Sequence, residues 1–379
     1  MLKKLTAMIL SLLLANAGVP AAQAREYPEL ALDCRAALLM EYESGEILYA
    51  RAEHEPMPMA SVTKIMSVLL VVEALEAGDV SLDDTVTAST RASSMGGSQI
   101  YLRENEQMPL RDMLKSVIVA SANDACVALA EHIAGSEDEF VARMNRRAAE
   151  LGMTDTNFVN CTGLDADEHH STAYDIALMS RELLGHELIY DYTTIWTDSV
   201  RGGEFGLTNT NKLIRFYQGA NGLKTGSTDG AKYCVSAAAK RDGMELIAVV
   251  LGSSSGTARF DAAKAMLNYG FSSFRLLPLE KPEIPSVPVR GGVVERIAAD
   301  TVIPKSLLVE KSFSKQPECR IELPEYLEAP VEAGDEIGTV TWIAGGRDVW
   351  SAGIYAAETA QERSFGFCLL ELLKKFIMI

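Results

Sequence analysis

A serine and a lysine three residues apart are the first side chains whose types and spacing could do chemistry. Ser61 and Lys64 open a segment of helical hydrophobic pattern, so their side chains would share one helix face. A lysine can accept a serine's proton only if burial or a second cation lowers the pKa of its amine. The pair alone is weak support, because Ser312 and Lys315 repeat the spacing and a helix cap would also explain Ser61.

Two further motifs follow in chain order. Residues 121–123 read Ser-Ala-Asn, the only Ser-x-Asn of the chain, within a predicted helix at 110–134. Residues 224–226 read Lys-Thr-Gly and occur once, just before a predicted strand at 233–238. Together with Ser-x-x-Lys, these motifs form the signature of penicillin-binding proteins and related β-lactamases. The trio favours acyl transfer through Ser61.

Beyond the trio, the chain resembles the low-molecular-mass D-alanyl-D-alanine carboxypeptidases (peptidase family S11, with penicillin-binding proteins 5 and 6) over nearly its whole length. The stretches that carry this resemblance are residues 57–61, 95–98, 209–211, 222–228, 259–260 and 269–271. Ser-Ala-Asn in place of Ser-Asp-Asn is itself typical of this branch. The resemblance implies a hydrolase that removes the terminal D-alanine of peptidoglycan pentapeptides, needs no cofactor and is acylated by β-lactams.

The resemblance also implies roles for the motif residues. Ser61 would attack the carbonyl between the two D-alanines, and Lys64 would take its proton, kept neutral partly by the charge of Lys224. Ser121 would relay a proton to the departing D-alanine. Asn123 would hold the peptide amide and Lys64.

The remaining roles concern the substrate's carboxylate and the oxyanion. Lys224 and Thr225 would bind the terminal carboxylate, and Gly226 would let the substrate approach the strand edge. Backbone N–H groups of Ser61 and Ser227 would form the oxyanion hole. Arg259 matches a family arginine near the carboxylate site, but a surface arginine at a helix start would fit its position equally well.

Strand patterns lie on both sides of a helical middle. Predicted strands at 36–41, 46–49, 233–238 and 245–251 flank helical patterns at 61–77, 137–151 and 173–184. They predict an α/β (α+β) catalytic domain over residues 25–277, with helices on an antiparallel sheet. The resemblance implies that this domain has the fold of serine β-lactamases and transpeptidases. After a proline-rich stretch, a small all-β domain is expected over 282–357.

Residues 1–24 have the features of a secretory signal. Lys3 and Lys4 precede an apolar run at 5–14, and Ala-Gln-Ala at 22–24 supplies a small-x-small cleavage site. A buried first helix is the alternative. We therefore expect an exported protein at the outer face of the cytoplasmic membrane.

Composition disfavours nucleic acid as a partner, and it does not decide whether the cysteines form disulfides. A net charge of −17 disfavours nucleic acid, which needs a basic surface. The six cysteines could form up to three disulfides. Cys126 and Cys234 lie in apolar stretches, which favours buried free thiols.

The tail, residues 364–379, is amphipathic. Its apolar positions recur at helical spacing, with Glu371, Lys374 and Lys375 on the other side. Packing on the β domain is one interpretation. The other is a helix lying in the membrane interface, because the segment is too short to span a bilayer.

Other sites and functions remain to be weighed. The polar residues at 165–170 could suggest a metal site, but adjacent histidines point apart and no HExxH motif accompanies them. A class A-like β-lactamase shares the trio but uses a Glu with an Asn four residues later, whereas Glu168 is followed by Thr172. A non-hydrolytic peptidoglycan-binding relative is the third possibility, disfavoured by the intact motifs.

Overall fold

The computed structural model describes residues 27–313, 317–344 and 346–377. These residues form two compact units, one ending at Ser273 and one beginning at Phe274. The predicted signal segment lies outside the described residues, as does Lys315 of the repeated Ser-x-x-Lys spacing.

An antiparallel sheet of five strands, in the order β2-β1-β9-β8-β7, organises the first unit. Its strands are β1 (Ala36–Glu41), β2 (Ile47–Arg51), β7 (Ala220–Thr228), β8 (Lys232–Arg241) and β9 (Met244–Ser253). Every residue of β1 is buried, so both faces of the sheet are covered there. Strands from before and after the helical middle share one sheet, as the sequence predicted.

Helices and two small two-stranded sheets connect these strands. The helices are α1 (Lys64–Ala77), α2 (Thr90–Ser93), α3 (Leu110–Val119), α4 (Asn123–Ala134), α5 (Glu137–Glu150), α6 (Ala173–Leu184), α7 (Tyr190–Thr193), α8 (Leu213–Phe216) and α9 (Gly256–Ser273). The small sheets pair β3 (Thr85–Thr87) with β4 (Gln107–Pro109), and β5 (Thr197–Val200) with β6 (Phe205–Thr208). Both α6 and α9 pack against β9.

The predicted helix over 110–134 is wrong in one respect, because it is two helices. The chain leaves α3 after Val119 and enters α4 at Asn123. Between them, Ser121 has a φ of 63°, a left-handed conformation that a continuous helix does not allow. The break occurs at the Ser-Ala-Asn motif itself.

The second unit is mainly β-structure. Its strands are β10 (Phe274–Pro278), β11 (Val287–Arg290), β12 (Arg296–Ile297), β13 (Ala299–Asp300), β14 (Ser306–Glu310), β15 (Glu318–Glu322), β16 (Leu327–Glu328), β17 (Glu336–Ala344) and β18 (Arg347–Ala356). The largest of its sheets has the order β13-β18-β17-β15. Val340, Trp342 and Ile354 are part of its buried core.

The tail forms a helix, α10 (Phe365–Ile377), capped by Ser364, whose hydroxyl accepts the Phe367 N–H at 3.2 Å. Its large apolar side chains are exposed, including Phe365 at 83% and Phe376 at 75%. The expected alternative of packing on the β domain would bury this face, and the structure does not show that burial. No helix among the described residues has the length and apolar character to span a membrane.

Candidate active site

Lys64 is the centre of the site. A short 3-10 turn at Ala60–Thr63 carries Ser61 directly into α1, which begins at Lys64. The Lys64 side chain is fully buried. Its Nζ lies 2.9 Å from Ser61 Oγ, 2.6 Å from Asn123 Oδ1 and 2.6 Å from the Thr162 carbonyl oxygen. The turn and the helix start thus bring hydroxyl and amine together, as the spacing predicted.

Burial lowers the pKa of Lys64 from its ordinary value to about 8. Desolvation is the largest cause of this lowering, and Cys126, Cys161 and Asp124 oppose it. The repulsion between the two lysines is expressed mainly at Lys224, whose pKa is lowered by the charge of Lys64. A neutral amine has two N–H donors and one lone pair. Asn123 Oδ1 and the Thr162 carbonyl can only accept, so the lone pair is left for the Ser61 hydroxyl.

The Ser-Ala-Asn motif lies in the turn between α3 and α4. Ser121 is buried there in its left-handed conformation. The Asn123 side chain bridges two parts of the site, because its Oδ1 accepts from Lys64 and its Nδ2 donates to the Gly96 carbonyl at 2.7 Å. The Asn123 backbone N–H also donates to the Ser98 carbonyl at 2.7 Å.

The Lys-Thr-Gly motif lies inside β7, at the edge of the sheet. Lys224 and Thr225 are both buried. Burial lowers the pKa of Lys224 well below its ordinary value, and the positive charges of Lys64 and Arg259 lower it further. Thr225 donates its hydroxyl to Thr210 Oγ1 at 2.7 Å, which ties β7 to the Asn-Thr-Asn stretch at 209–211.

Position 226 has no room for a side chain, which is why β7 has a glycine there. A Cβ there would lie 2.7 Å from the Met59 carbonyl oxygen and 2.9 Å from the Ser61 backbone nitrogen. Side-chain atoms do not approach this closely, so β7 runs against the Ser61 turn only because the side chain is absent. Ser227 follows and is exposed.

Arg259, on α9, reaches β7 and β8. Its Nη1 donates to the Gly226 carbonyl at 2.8 Å and to the Cys234 carbonyl at 3.2 Å. The buried Nε has no hydrogen-bond partner within the described part of the chain. These contacts direct the guanidinium toward the Lys-Thr-Gly strand, which favours the site arginine over a surface arginine.

Sequence reasoning missed the segment beneath Lys64. The carbonyl of Thr162 is one of the three partners of Lys64. At the next position, Gly163 has a φ of 85°, and a Cβ there would collide with the Ala60 carbonyl. A backbone carbonyl has no side-chain signature, so no motif could have pointed to Thr162.

The polar stretch at 165–170 holds this segment in place. His169 Nδ1 accepts the Val159 N–H at 3.0 Å, so Nε2 carries the proton and donates to Thr63 Oγ1 at 2.8 Å. Burial lowers the pKa of His169 to about 4, which keeps the imidazole neutral. Asp165 accepts from the Thr228 hydroxyl at 2.6 Å. These contacts support a structural role for the stretch and not a metal site.

The thiols do not form disulfides in this structure. All six cysteines are free, and Cys126 and Cys234 are buried.

Comparison with known proteins places this geometry in a family. Residues 21–255 match the family described as D-alanyl-D-alanine carboxypeptidase, peptidase S11. The chain belongs to this family. Residues 278–362 match the C-terminal domain of penicillin-binding protein 5, a range that includes strands β11 to β18 of the second unit.

Individual carboxypeptidases and penicillin-binding proteins are similar over most of the chain. D-alanyl-D-alanine carboxypeptidase DacF of Bacillus subtilis is 40% identical, covering 89% of this chain and 88% of that protein. The crystal structure of penicillin-binding protein 5 from Haemophilus influenzae superposes with a TM-score of 0.82 at 30% identity, covering 89% of this chain and all of that one. Penicillin-binding protein D2 from Listeria monocytogenes, solved with ampicillin bound, has a TM-score of 0.60 at 33% identity, covering 64% of this chain and all of that one.

Proposed function

We propose that this D-alanyl-D-alanine carboxypeptidase works through an acyl-enzyme on Ser61. The observation that carries the proposal is the hydrogen bonding of Lys64. Asn123 Oδ1 and the Thr162 carbonyl accept two of its N–H groups, and Ser61 Oγ lies 2.9 Å from Nζ, so in the neutral amine the lone pair is left for the Ser61 hydroxyl. That arrangement is a general base in contact with its nucleophile.

In acylation, Ser61 Oγ attacks the carbonyl carbon of the penultimate D-alanine while Lys64 accepts the hydroxyl proton. The backbone N–H groups of Ser61 and Ser227 stabilise the oxyanion that forms. The C–N bond then breaks, and Ser121 relays a proton to the leaving amine of the terminal D-alanine. A water molecule attacks the ester in the second step and releases the shortened peptide.

Residues of β7, together with Arg259 of α9, would bind the terminal carboxylate of the substrate. Lys224, Thr225 and Arg259 bind the terminal carboxylate, and the arrival of this anion favours the protonated form of Lys224. Asn123 holds the amide on the other side of the scissile bond. Gly226 keeps the edge of β7 open for the peptide backbone.

The β-lactamase alternative receives no support from Glu168. Its side chain is exposed, and Thr172, four residues on, caps α6 by accepting the Asp175 N–H at 3.0 Å. β-Lactams would instead acylate Ser61 and leave it slowly, acting as covalent inhibitors. The ampicillin complex of the Listeria relative supports this part of the proposal.

We further propose that the protein is exported by its residues 1–24 and is held at the outer face of the cytoplasmic membrane by α10. Its substrate, peptidoglycan, lies outside the cytoplasm. The exposed phenylalanines and leucines of α10 could lie in the lipid interface, where burial of each apolar side chain is favourable.

A product assay tests the proposed reaction. Purified protein is incubated with a pentapeptide ending in D-Ala-D-Ala, and D-alanine and tetrapeptide are measured. We expect equimolar products, and none from a control peptide ending in L-Ala-L-Ala. Rapid repeated hydrolysis of penicillin without D-alanine release would indicate a β-lactamase. The absence of both reactions would indicate a non-hydrolytic peptidoglycan-binding protein.

A further inference from the structure

Tyr101 has an unusual combination of backbone and exposure. Its φ is 58°, a left-handed conformation that is disfavoured for a residue with a bulky side chain. Nevertheless 67% of this aromatic residue is exposed to solvent. A side chain held in a disfavoured conformation usually serves a purpose that local packing does not. Tyr101 buries too little surface for that purpose to be the core.

Two charged side chains hold this conformation, one by binding backbone N–H groups and the other by binding backbone carbonyls. The buried carboxylate of Asp124 accepts the N–H groups of Ile100 at 3.1 Å and Leu102 at 3.0 Å, the two neighbours of Tyr101. Arg201 donates to the Ile100 carbonyl at 2.8 Å and to the Tyr101 carbonyl at 3.4 Å. The backbone around Tyr101 is therefore rigid, and its ring is presented to solvent.

The loop that carries Tyr101 also forms one wall of the active site. Its residues Gly96 and Ser98 accept hydrogen bonds from the side chain and the backbone of Asn123. Asn123 in turn binds Lys64 at 2.6 Å. Tyr101 follows Ser98 by three residues, and its ring contacts the edge of Phe205, with ring centres 6.2 Å apart.

Different parts of the site would bind the two ends of the substrate peptide. In the proposed function, Lys224 and Thr225 hold the terminal carboxylate, so the rest of the peptide extends past Asn123 on the acyl side of the scissile bond. The loop at 96–101 is joined to Asn123 through the Gly96 and Ser98 carbonyls, so we place it beside this part of the peptide. An exposed ring offers a rigid apolar face to amide planes and aliphatic chains at little cost in side-chain entropy.

We propose that Tyr101 is a specificity-determining residue that contacts the stem peptide upstream of D-Ala-D-Ala. The inference rests on the proposed function and goes further, because it assigns a binding surface for the part of the substrate that does not react. It implies that the enzyme distinguishes a full stem peptide from a bare D-Ala-D-Ala end through this ring.

Matched substrates and variants test the inference. The substrates are N-acetyl-D-Ala-D-Ala, which ends at the reacting residues, and an N-acetylated pentapeptide with the same terminus. Tyr101→Gly removes the ring and suits the positive φ, so the loop keeps its conformation. Tyr101→Phe keeps the ring. Phe216→Ala is the control, because Phe216 is 69% exposed in the same unit but lies on α8, packed on Trp196.

The expected pattern is a substrate-selective loss. Tyr101→Gly should lower kcat/KM for the pentapeptide roughly tenfold, mainly through KM, and leave the dipeptide within about twofold of wild type. Tyr101→Phe and Phe216→Ala should match wild type on both substrates. Equal losses on both substrates would assign Tyr101 a structural role in the Asn123 wall and overturn the inference, as would no loss on either. Failure of the wild type to release D-alanine from either substrate would instead overturn the proposed function.

Discussion

At the scale of single residues, the proposed mechanism makes the reactivity of Ser61 depend on how Lys64 is buried. Among the residues that the structure describes, Lys64 has no carboxylate partner that would hold its proton, and its acceptors are an amide oxygen and a backbone carbonyl. These neutral partners stabilise an ammonium ion less than a carboxylate would. Desolvation therefore determines the protonation state, and it favours the neutral amine that acylation needs.

This protonation state predicts a pH profile. Because the pKa of Lys64 is lowered to about 8, the lysine is protonated and inactive as a base below that pH. The second-order rate constant for acylation by a fluorescent penicillin should rise about tenfold per pH unit below pH 8 and level off above it. Stopped-flow or gel-based labelling between pH 6 and 10 measures this, with circular dichroism confirming the fold. A rate still rising through pH 10 would mean an ordinary lysine, and a flat profile would mean a different base.

The same scale shows what sequence could and could not provide. Ser61, Lys64 and Asn123 were identified from motifs, and the structure brings their side chains into direct contact. Thr162 contributes only a backbone carbonyl, so its residue type carried no signal. His169 belongs to the polar stretch at 165–170, but only the folded chain shows that its imidazole binds the Thr63 hydroxyl.

At the scale of elements, the site is a contact between a strand and a turn. β7 packs on the 3-10 turn at Ala60–Thr63, and at Gly226 the two approach so closely that a Cβ would not fit. The two N–H groups proposed for the oxyanion hole belong to these two elements. Their separation therefore depends on how closely the strand can approach the turn.

Gly226→Ala should separate these elements. The added methyl group meets backbone atoms of Met59 and Ser61 and not a movable side-chain end. Displacement of one oxyanion donor costs about 100-fold in rate, so acylation should fall by that order, with a drop in melting temperature from overpacking. Gly206→Ala, in β6 with nothing within 4 Å of the new Cβ, should behave as wild type. Wild-type acylation by Gly226→Ala would show that the strand's approach is not essential.

The prediction of secondary structure is wrong at the Ser-Ala-Asn motif, where the chain turns between two helices. Hydrophobic periodicity continues through residues 110–134, and a single helix was the natural prediction. The structure inserts a turn that places Ser121 at positive φ and starts α4 at Asn123. Periodicity does not register a break of three apolar or small residues, because the flanking helices are both buried and both amphipathic.

At the scale of the whole molecule, two opposing effects would determine whether α10 binds lipid: the net charge of the chain and the apolar surface of the helix. The chain carries a net charge of −17, which opposes attraction to anionic lipids. The exposed face of α10 contains Phe365, Leu369 and Phe376 among other large apolar side chains. Burial of one such side chain contributes about 1.5–3 kcal/mol when complete. Apolar insertion should therefore dominate binding.

Deletion of residues 364–379 should release the protein without inactivating it. We expect the chain from residue 25 to 379 to co-sediment with lipid vesicles and to stay bound in high salt, whereas the truncated chain remains in the supernatant with unchanged activity on a small peptide. Release of the intact protein by salt alone would indicate charge-driven binding. Loss of folding in the truncated chain would indicate that α10 is part of the domain core.

The identity of the acylated residue tests the central claim most directly. After reaction with benzylpenicillin, intact-mass and peptide-mapping spectrometry should find one penicilloyl adduct per chain, on the peptide that contains Ser61. Ser61→Ala should carry none while keeping its fold, and Ser312→Ala, at the repeated Ser-x-x-Lys spacing, should label fully. An adduct on another residue, or full labelling of Ser61→Ala, would contradict the mechanism.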